Sequence, residues 1–325
     1  MGQLIKLQDY VSRYEQKIYF YPSRFVALKK QQWEKIYAQW ERGKQLDFQE
    51  EAIDDFQFEE EPKPFIDKVK SFLKFGKKEE EQEEMEDTRE SDREEDGFSL
   101  EISPSFLYWP ETEEDLKRMF LNQLFQHQIR WASTTLTEKS NVDKKYFFNE
   151  ELKYLLQRFP DTFLILFHPV FLLKKAPVEG DIVMLTPTEA WCLSFLEEED
   201  LACFFGSNER FWEKKIGDKE EKVLNPLLSL NRTGKIVKNI FRMNEVELPL
   251  RKALISRNGY IEYSYSPYDV ELIDRRSYDK WFQYMRNQKT PFKFNQFKAA
   301  EALLEYCETV SMKRLEWELN GNLPE

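Results

Sequence analysis

The stretch from Phe148 to Glu197 restricts the fold of this chain more than any other, because it joins one short amphipathic period to two runs that are apolar almost throughout. Asn149-Glu150-Glu151 opens a period of Leu152, Leu155, Leu156 and Phe159 that stops at Pro160, which predicts a short helix. The runs Thr162 to Leu173 and Asp181 to Phe195 are too apolar for strands with one wet face, so they predict central strands covered on both sides. Lys174 to Gly180 is expected to connect them. Thr186-Pro187-Thr188-Glu189 breaks the second run, so it reads as two strands meeting at a turn.

An acidic residue in the opening helix, an Asp at the head of the second strand, Trp212 in Arg210-Phe211-Trp212 and the element Asn225-Pro226-Leu227-Leu228 together resemble the nuclease-related (NERD) domains of the PD-(D/E)XK nuclease superfamily. The resemblance covers Phe148 to Arg286. It implies an α/β fold, a restriction-endonuclease-like mixed sheet flanked by helices, with helical additions at both ends. It also implies a metal site in which Asp181 and Glu151 are ligands, completed by a Glu-x-Lys triplet one hairpin after the Asp. Two carboxylates would hold Mg²⁺ and the Lys would steady the attacked phosphate.

Counted along the hairpin from Asp181, that triplet falls on Ser194-Phe195-Leu196, so the Glu and the Lys are both replaced. The Gln that usually follows Asn-Pro by three positions is Ser229. The expectation is a nuclease fold with a degenerate site and no cofactor. Should activity persist, the acids of Glu197-Glu198-Glu199-Asp200 offer a moved ligand, Glu197 or Glu199. Lys174, Lys175, Lys214 or Lys215 would then replace the Lys, and Mg²⁺ would be the cofactor.

The net charge of −12 hides an uneven distribution. Residues 47–61 carry −8 and residues 79–96 carry −10, so the remainder holds about +6 and a nucleic-acid partner stays open. The predicted helix Leu227 to Phe241 concentrates that charge in Arg232, Lys235, Lys238 and Arg242, which with Lys174 and Lys175 are the candidate phosphate contacts. Cys192, Cys203 and Cys307 have no metal-type spacing and read as reduced, buried thiols of a cytoplasmic protein. No signal-peptide layout and no membrane-spanning window is present, so no membrane partner is expected. His127 and His168 have no second ligand at metal spacing and are expected as hydrogen-bonded structural residues.

Five regions follow. Residues 1–46 read as aromatic-rich helices interrupted at Pro22, able to dock a protein partner or, through interleaved Arg and Lys, a single strand. Residues 47–97 read as an acidic flexible segment around a basic amphipathic stretch at 63–78. Residues 98–147 are a lead-in whose main helix runs from Pro110 to about Trp131, and 148–286 are the nuclease-related domain. Within it, Leu248 to Ile255 and Tyr260 to Tyr265 are expected as edge strands around an Arg257-Asn258-Gly259 turn, with Ser277 capping a following helix. Residues 287–325 hold a closing helix, Phe294 to Leu319.

Three functions fit this pattern. The first is a non-catalytic or weakly active nuclease-related protein that binds nucleic acid or a protein. The second is a metal-dependent nuclease with moved active-site residues, and the third is a protein-interaction adaptor that binds no nucleic acid.

Overall fold

A computed structural model describes residues 1–54, 110–173, 176–197, 201–263, 267 and 269–313. The chain divides into two units, Met1–Lys30 with Leu107–Glu325, and Gln31–Phe106. In the second unit the described part, residues 31–54, is helix, with Trp33 and Trp40 each in ring contact with Tyr37. The basic stretch 63–78 and the acidic run 79–96 lie outside the described residues.

In chain order the first unit begins with strand β1 (Gln3–Leu7), the single turn α1 (Arg13–Gln16) and the start of α2 (Tyr21–Asp54). Helix α3 (Glu113–Trp131), strand β2 (Glu138–Lys139) and α4 (Glu150–Arg158) follow. Then come β3 (Leu164–Phe167), β4 (Val170–Leu173), β5 (Ala176–Glu179), β6 (Ile182–Leu185) and β7 (Ala190–Phe195). Strands β8 (Cys203–Gly206), β9 (Phe211–Ile216) and β10 (Lys219–Leu224) precede α5 (Leu227–Met243). The chain continues through β11 (Leu250–Ile255), β12 (Tyr260–Tyr263), β13 (Glu271–Ile273), α6 (Tyr278–Arg286), α7 (Phe294–Glu305) and β14 (Met312–Lys313).

Among the described residues the main sheet has the order β1-β3-β6-β7-β11-β13. Its centre, β3-β6-β7, is antiparallel, while β1 joins β3, β11 joins β7 and β13 joins β11 in parallel. Ile165, Ile182, Met184, Trp191, Leu193, Ala253 and Ile255 share one apolar cluster with Leu152, Leu155 and Leu156 of α4, Ile129 of α3 and Trp281 of α6. Helix α5 is joined to the head of β6 through Thr233 and buries Leu230, Val237 and Ile240. Strands β3 and β6 are buried at every position because helices cover both faces, and this explains the absence of alternation in their sequence. No described helix is long and apolar enough to cross a membrane.

Several elements depart from the sequence reading. Residues 3–7 are a strand, not helix, and every one of them is buried. The Gln128 side chain clamps this strand, accepting from Leu4 N at 2.6 Å and donating to Gly2 O at 2.7 Å. A strand covered on both sides has no period of its own, and Leu4, Leu7 and Val11 mimicked a helical one. Pro22 stands in the first turn of α2, where a missing N–H costs nothing, so it starts that helix instead of interrupting one.

The run 162–173 divides at His168, whose φ is 46°, and its second half leaves the main sheet as β4 to pair with β5, where a plain connection was expected. Strands β11 and β12 form no hairpin: β11 lies inside the main sheet, and β12 pairs in parallel with β8 in a second sheet of order β10-β9-β8-β12. Gly259 allows the sheets to come this close, since a Cβ there would lie 2.6 Å from Ala202 O and 2.8 Å from Ser256 Oγ.

Ser277 occupies the first position before α6 without a capping bond; its hydroxyl instead bonds the Asp274 backbone. The last helix ends at Glu305, and residues 314–319 of its expected length lie outside the described residues. All three cysteines are free, but only Cys192 is fully buried. His127 packs on Trp131 at 5.1 Å with its buried Nε2 unpartnered among the described residues, and burial lowers its pKa to about 4.

Candidate nucleic-acid interface

The carboxylates expected to hold a metal lie near enough to feel one another, but Glu197 and Asp181 are engaged with Arg257 and Thr233. Asn149 caps α4, accepting from Leu152 N at 2.7 Å, and so fixes Glu151 in the first turn of the helix. Burial pushes the Glu151 carboxyl up to about 7; Glu197 and Asp181 add to the rise, and the Arg257 guanidinium opposes it. Glu197, just past β7, is gripped by both Arg257 Nε and Nη2. That guanidinium lies 4.1 Å from the centre of the Tyr154 ring.

Asp181, just before β6, turns toward α5. Its N–H donates to Thr233 Oγ1 at 2.9 Å, and the same hydroxyl donates back to Asp181 Oδ2 at 3.1 Å. Burial raises the Asp181 pKa, and the hydroxyls of Thr233 and Ser229 with the His168 charge work against that rise. Ser229, the residue standing where the resemblance implies Gln, therefore faces the retained Asp. The register of β6 on β7, with Ile182 opposite Leu193, carries Asp181 to the level of Ser194, which has no charge to offer a metal.

Among the described residues no group of three or more His, Cys, Asp or Glu side chains is arranged to hold a metal ion. Glu198 and Glu199 lie outside the described residues. Lys214 and Lys215, considered as replacement lysines, pair with Glu221 and Glu220 at 2.9 Å each across the β9–β10 ladder.

Four of the six residues named as candidate phosphate contacts line one cleft. Asn225 sets the start of α5: its side chain donates to Glu209 O at 2.7 Å and Ser207 O at 3.3 Å and accepts from Leu227 N at 3.0 Å. From that anchored start, Arg232, Lys235, Lys238 and Arg242 recur at three- and four-residue spacing on one helix face. All four line a cleft of about 1350 Å³ between α5, the β4–β5 hairpin at Leu173 and Val178, and the segment from Val246 to Leu250. None of the four forms an ion pair among the described residues. Arg232 donates to Glu179 O at 3.3 Å and Arg242 to Asn239 Oδ1 at 3.4 Å. Lys174 and Lys175 lie outside the described residues.

Two lining residues escaped the sequence reading, Lys252 of β11 and Asp269. Gly234, unusual in the middle of an otherwise good helix, was the available sign that another side chain passes beneath α5. With Lys252 included, the described residues of the cleft present five cations against the single carboxylate of Asp269.

Comparison with known proteins gives little coverage. No family model matches the chain, and no solved structure does. Over 47 residues the chain is 51% identical to a Geobacillus stearothermophilus protein described as an RNA 2',3'-cyclic phosphodiesterase, a stretch that spans 14% of this chain and 15% of that relative.

Proposed function

We propose that this protein is a nuclease-related domain with a degenerate active site that binds nucleic acid through the cleft along α5. The observation that carries the reading is the alignment of Arg232, Lys235, Lys238 and Arg242 along that cleft without a carboxylate partner among the described residues. Unpaired cations in a concave surface concentrate positive potential, and phosphate binding there gains from counterion release. The order helix, three antiparallel strands, helix, parallel strand supports a restriction-endonuclease-like core. The two hydrogen bonds between Asp181 and Thr233 support a structural use of the retained Asp. The 47-residue similarity is too short to carry an activity to this chain.

One observation favours the second reading, a nuclease with moved ligands: Glu151 feels the charges of Glu197 and Asp181. A combined assay separates the two. The purified chain is mixed with labelled duplex and single-stranded DNA and RNA, with Mg²⁺ or Mn²⁺, and both retention and cleavage are followed. Salt-sensitive retention with intact nucleic acid is the expected result. Cleavage that disappears in Asp181→Ala would replace the proposal with the nuclease reading, and failure to bind any nucleic acid would leave the adaptor.

A further inference from the structure

Lys252 reaches the cleft by a route that the fold has cleared for it. Strand β11 pairs Lys252 with Cys192 of β7, and its neighbours Ala253 and Ile255 enter the core on the α4 side, so alternation sends Lys252 to the α5 side of the sheet. There its aliphatic stem crosses α5 at Gly234. A Cβ at position 234 would lie 2.7 Å from Lys252 Cδ and 3.3 Å from Cγ, so any other residue would obstruct the stem. The side chain is 13% exposed, and its ammonium emerges into the cleft lined by Arg232, Lys235 and Lys238. Nζ donates to Asn231 Oδ1 at 2.6 Å and to Asp269 Oδ2 at 2.5 Å. Asp269 is 64% exposed and, among the described residues, is the only acid lining the cleft.

We infer that Lys252 is a phosphate-contact residue of this cleft and that Asp269 competes with the ligand for its ammonium. The inference rests on the nucleic-acid reading of the cleft and adds a contact from the sheet beneath the helical stripe. The bound phosphate displaces the Asp269 carboxylate, while Asn231 keeps the ammonium in place. An exposed carboxylate makes a weak competitor, because an exposed ion pair contributes little. The cleft therefore binds below the affinity its five cations would otherwise give.

The full-length chain, titrated with fluorescein-labelled duplex DNA at several salt concentrations, tests this. Lys252→Met keeps the stem against Gly234 and removes the charge; it is expected to weaken binding and to lower the salt slope by about 0.9, the loss of one phosphate contact. Asp269→Asn is expected to tighten binding by about two- to fivefold, the size of the exposed ion pair it removes. That gain should vanish when Lys252→Met is also present. A gain that persists in the double variant would show Asp269 acting only as a repelling charge and would overturn the inference. Unchanged affinity in Lys252→Met, with binding lost in Lys235→Glu/Lys238→Glu, would overturn it while leaving the reading of the cleft intact. Absence of binding by the parent would remove both.

Discussion

Thr233 holds Asp181 at two points, accepting its backbone N–H at 2.9 Å and donating to its carboxylate at 3.1 Å. One fully buried hydroxyl thus joins α5 to the head of β6, at the position where the resemblance implies a metal ligand. Thr233→Val keeps the shape and removes both bonds, leaving a half-buried N–H and a half-buried carboxylate short of partners. The expected loss is about 1–3 kcal/mol in urea denaturation, with Thr233→Ser recovering most of it.

Glu151 predicts how stability follows pH. Its folded pKa is near 7 against 4.5 for an ordinary glutamate, so between those values the folded state holds a proton that the unfolded state has released. Stability from this group is therefore intact below pH 4.5, falls as pH rises through the window and is lowest above 7. Glu151→Gln should flatten the fall, so that the variant is more stable than the parent at pH 8 and differs little at pH 4.5. Thermal melts across that range check both ends.

Arg257 couples to the same titration. It neutralises Glu197, lies over Tyr154 and lowers the Glu151 pKa. Arg257→Met leaves the Glu197 charge unpaired beside Glu151, so the fall in stability should move to higher pH. The variant should also lose about 1.5–3 kcal/mol at neutral pH, as expected for hydrogen bonds to a charged group. A transition at the parent's pH would show that the Arg257 charge does not act on Glu151.

Gly206 predicts the rigidity of the second sheet. A Cβ there would lie 2.1 Å from Tyr263 Cδ2 and 3.1 Å from Trp212 Cη2, where the two rings pack at 5.5 Å. Gly206→Ala must displace Tyr263 from the fully buried Trp212, and a loss of about 1–3 kcal/mol is expected from such overpacking. Urea denaturation of the variant beside the parent checks it.

The elements legible in the sequence were those whose signals are local. The α4 period with its Asn149 cap, the acidic first turn of α3 and the amphipathic face of α5 each depend on residues within one helix. The strands β6 and β7, joined by Thr186 to Glu189, depend on a turn. Pairings set by distant partners were not legible: β11 and β12 could be read as strands, but β1 against β3, β11 between β7 and β13, and β12 beside β8 are all parallel pairs that leave no hairpin signature. The same division holds at the site. The stripe on α5 could be read from helical spacing, whereas Lys252 is carried to it by a sheet register and a glycine in another element.

The central claim is tested most directly by the affinity of Lys235→Glu/Lys238→Glu for duplex DNA across a salt series. Both side chains line the cleft and form no ion pair among the described residues, so reversing them should leave the melting temperature within error of the parent. Binding by the parent should weaken steeply with salt. The double variant should lose affinity by a similar factor for unrelated sequences, because phosphate contacts position a protein without reading bases. Parent-like affinity in a correctly folded double variant, or binding insensitive to salt, would contradict the assignment of this cleft to nucleic acid.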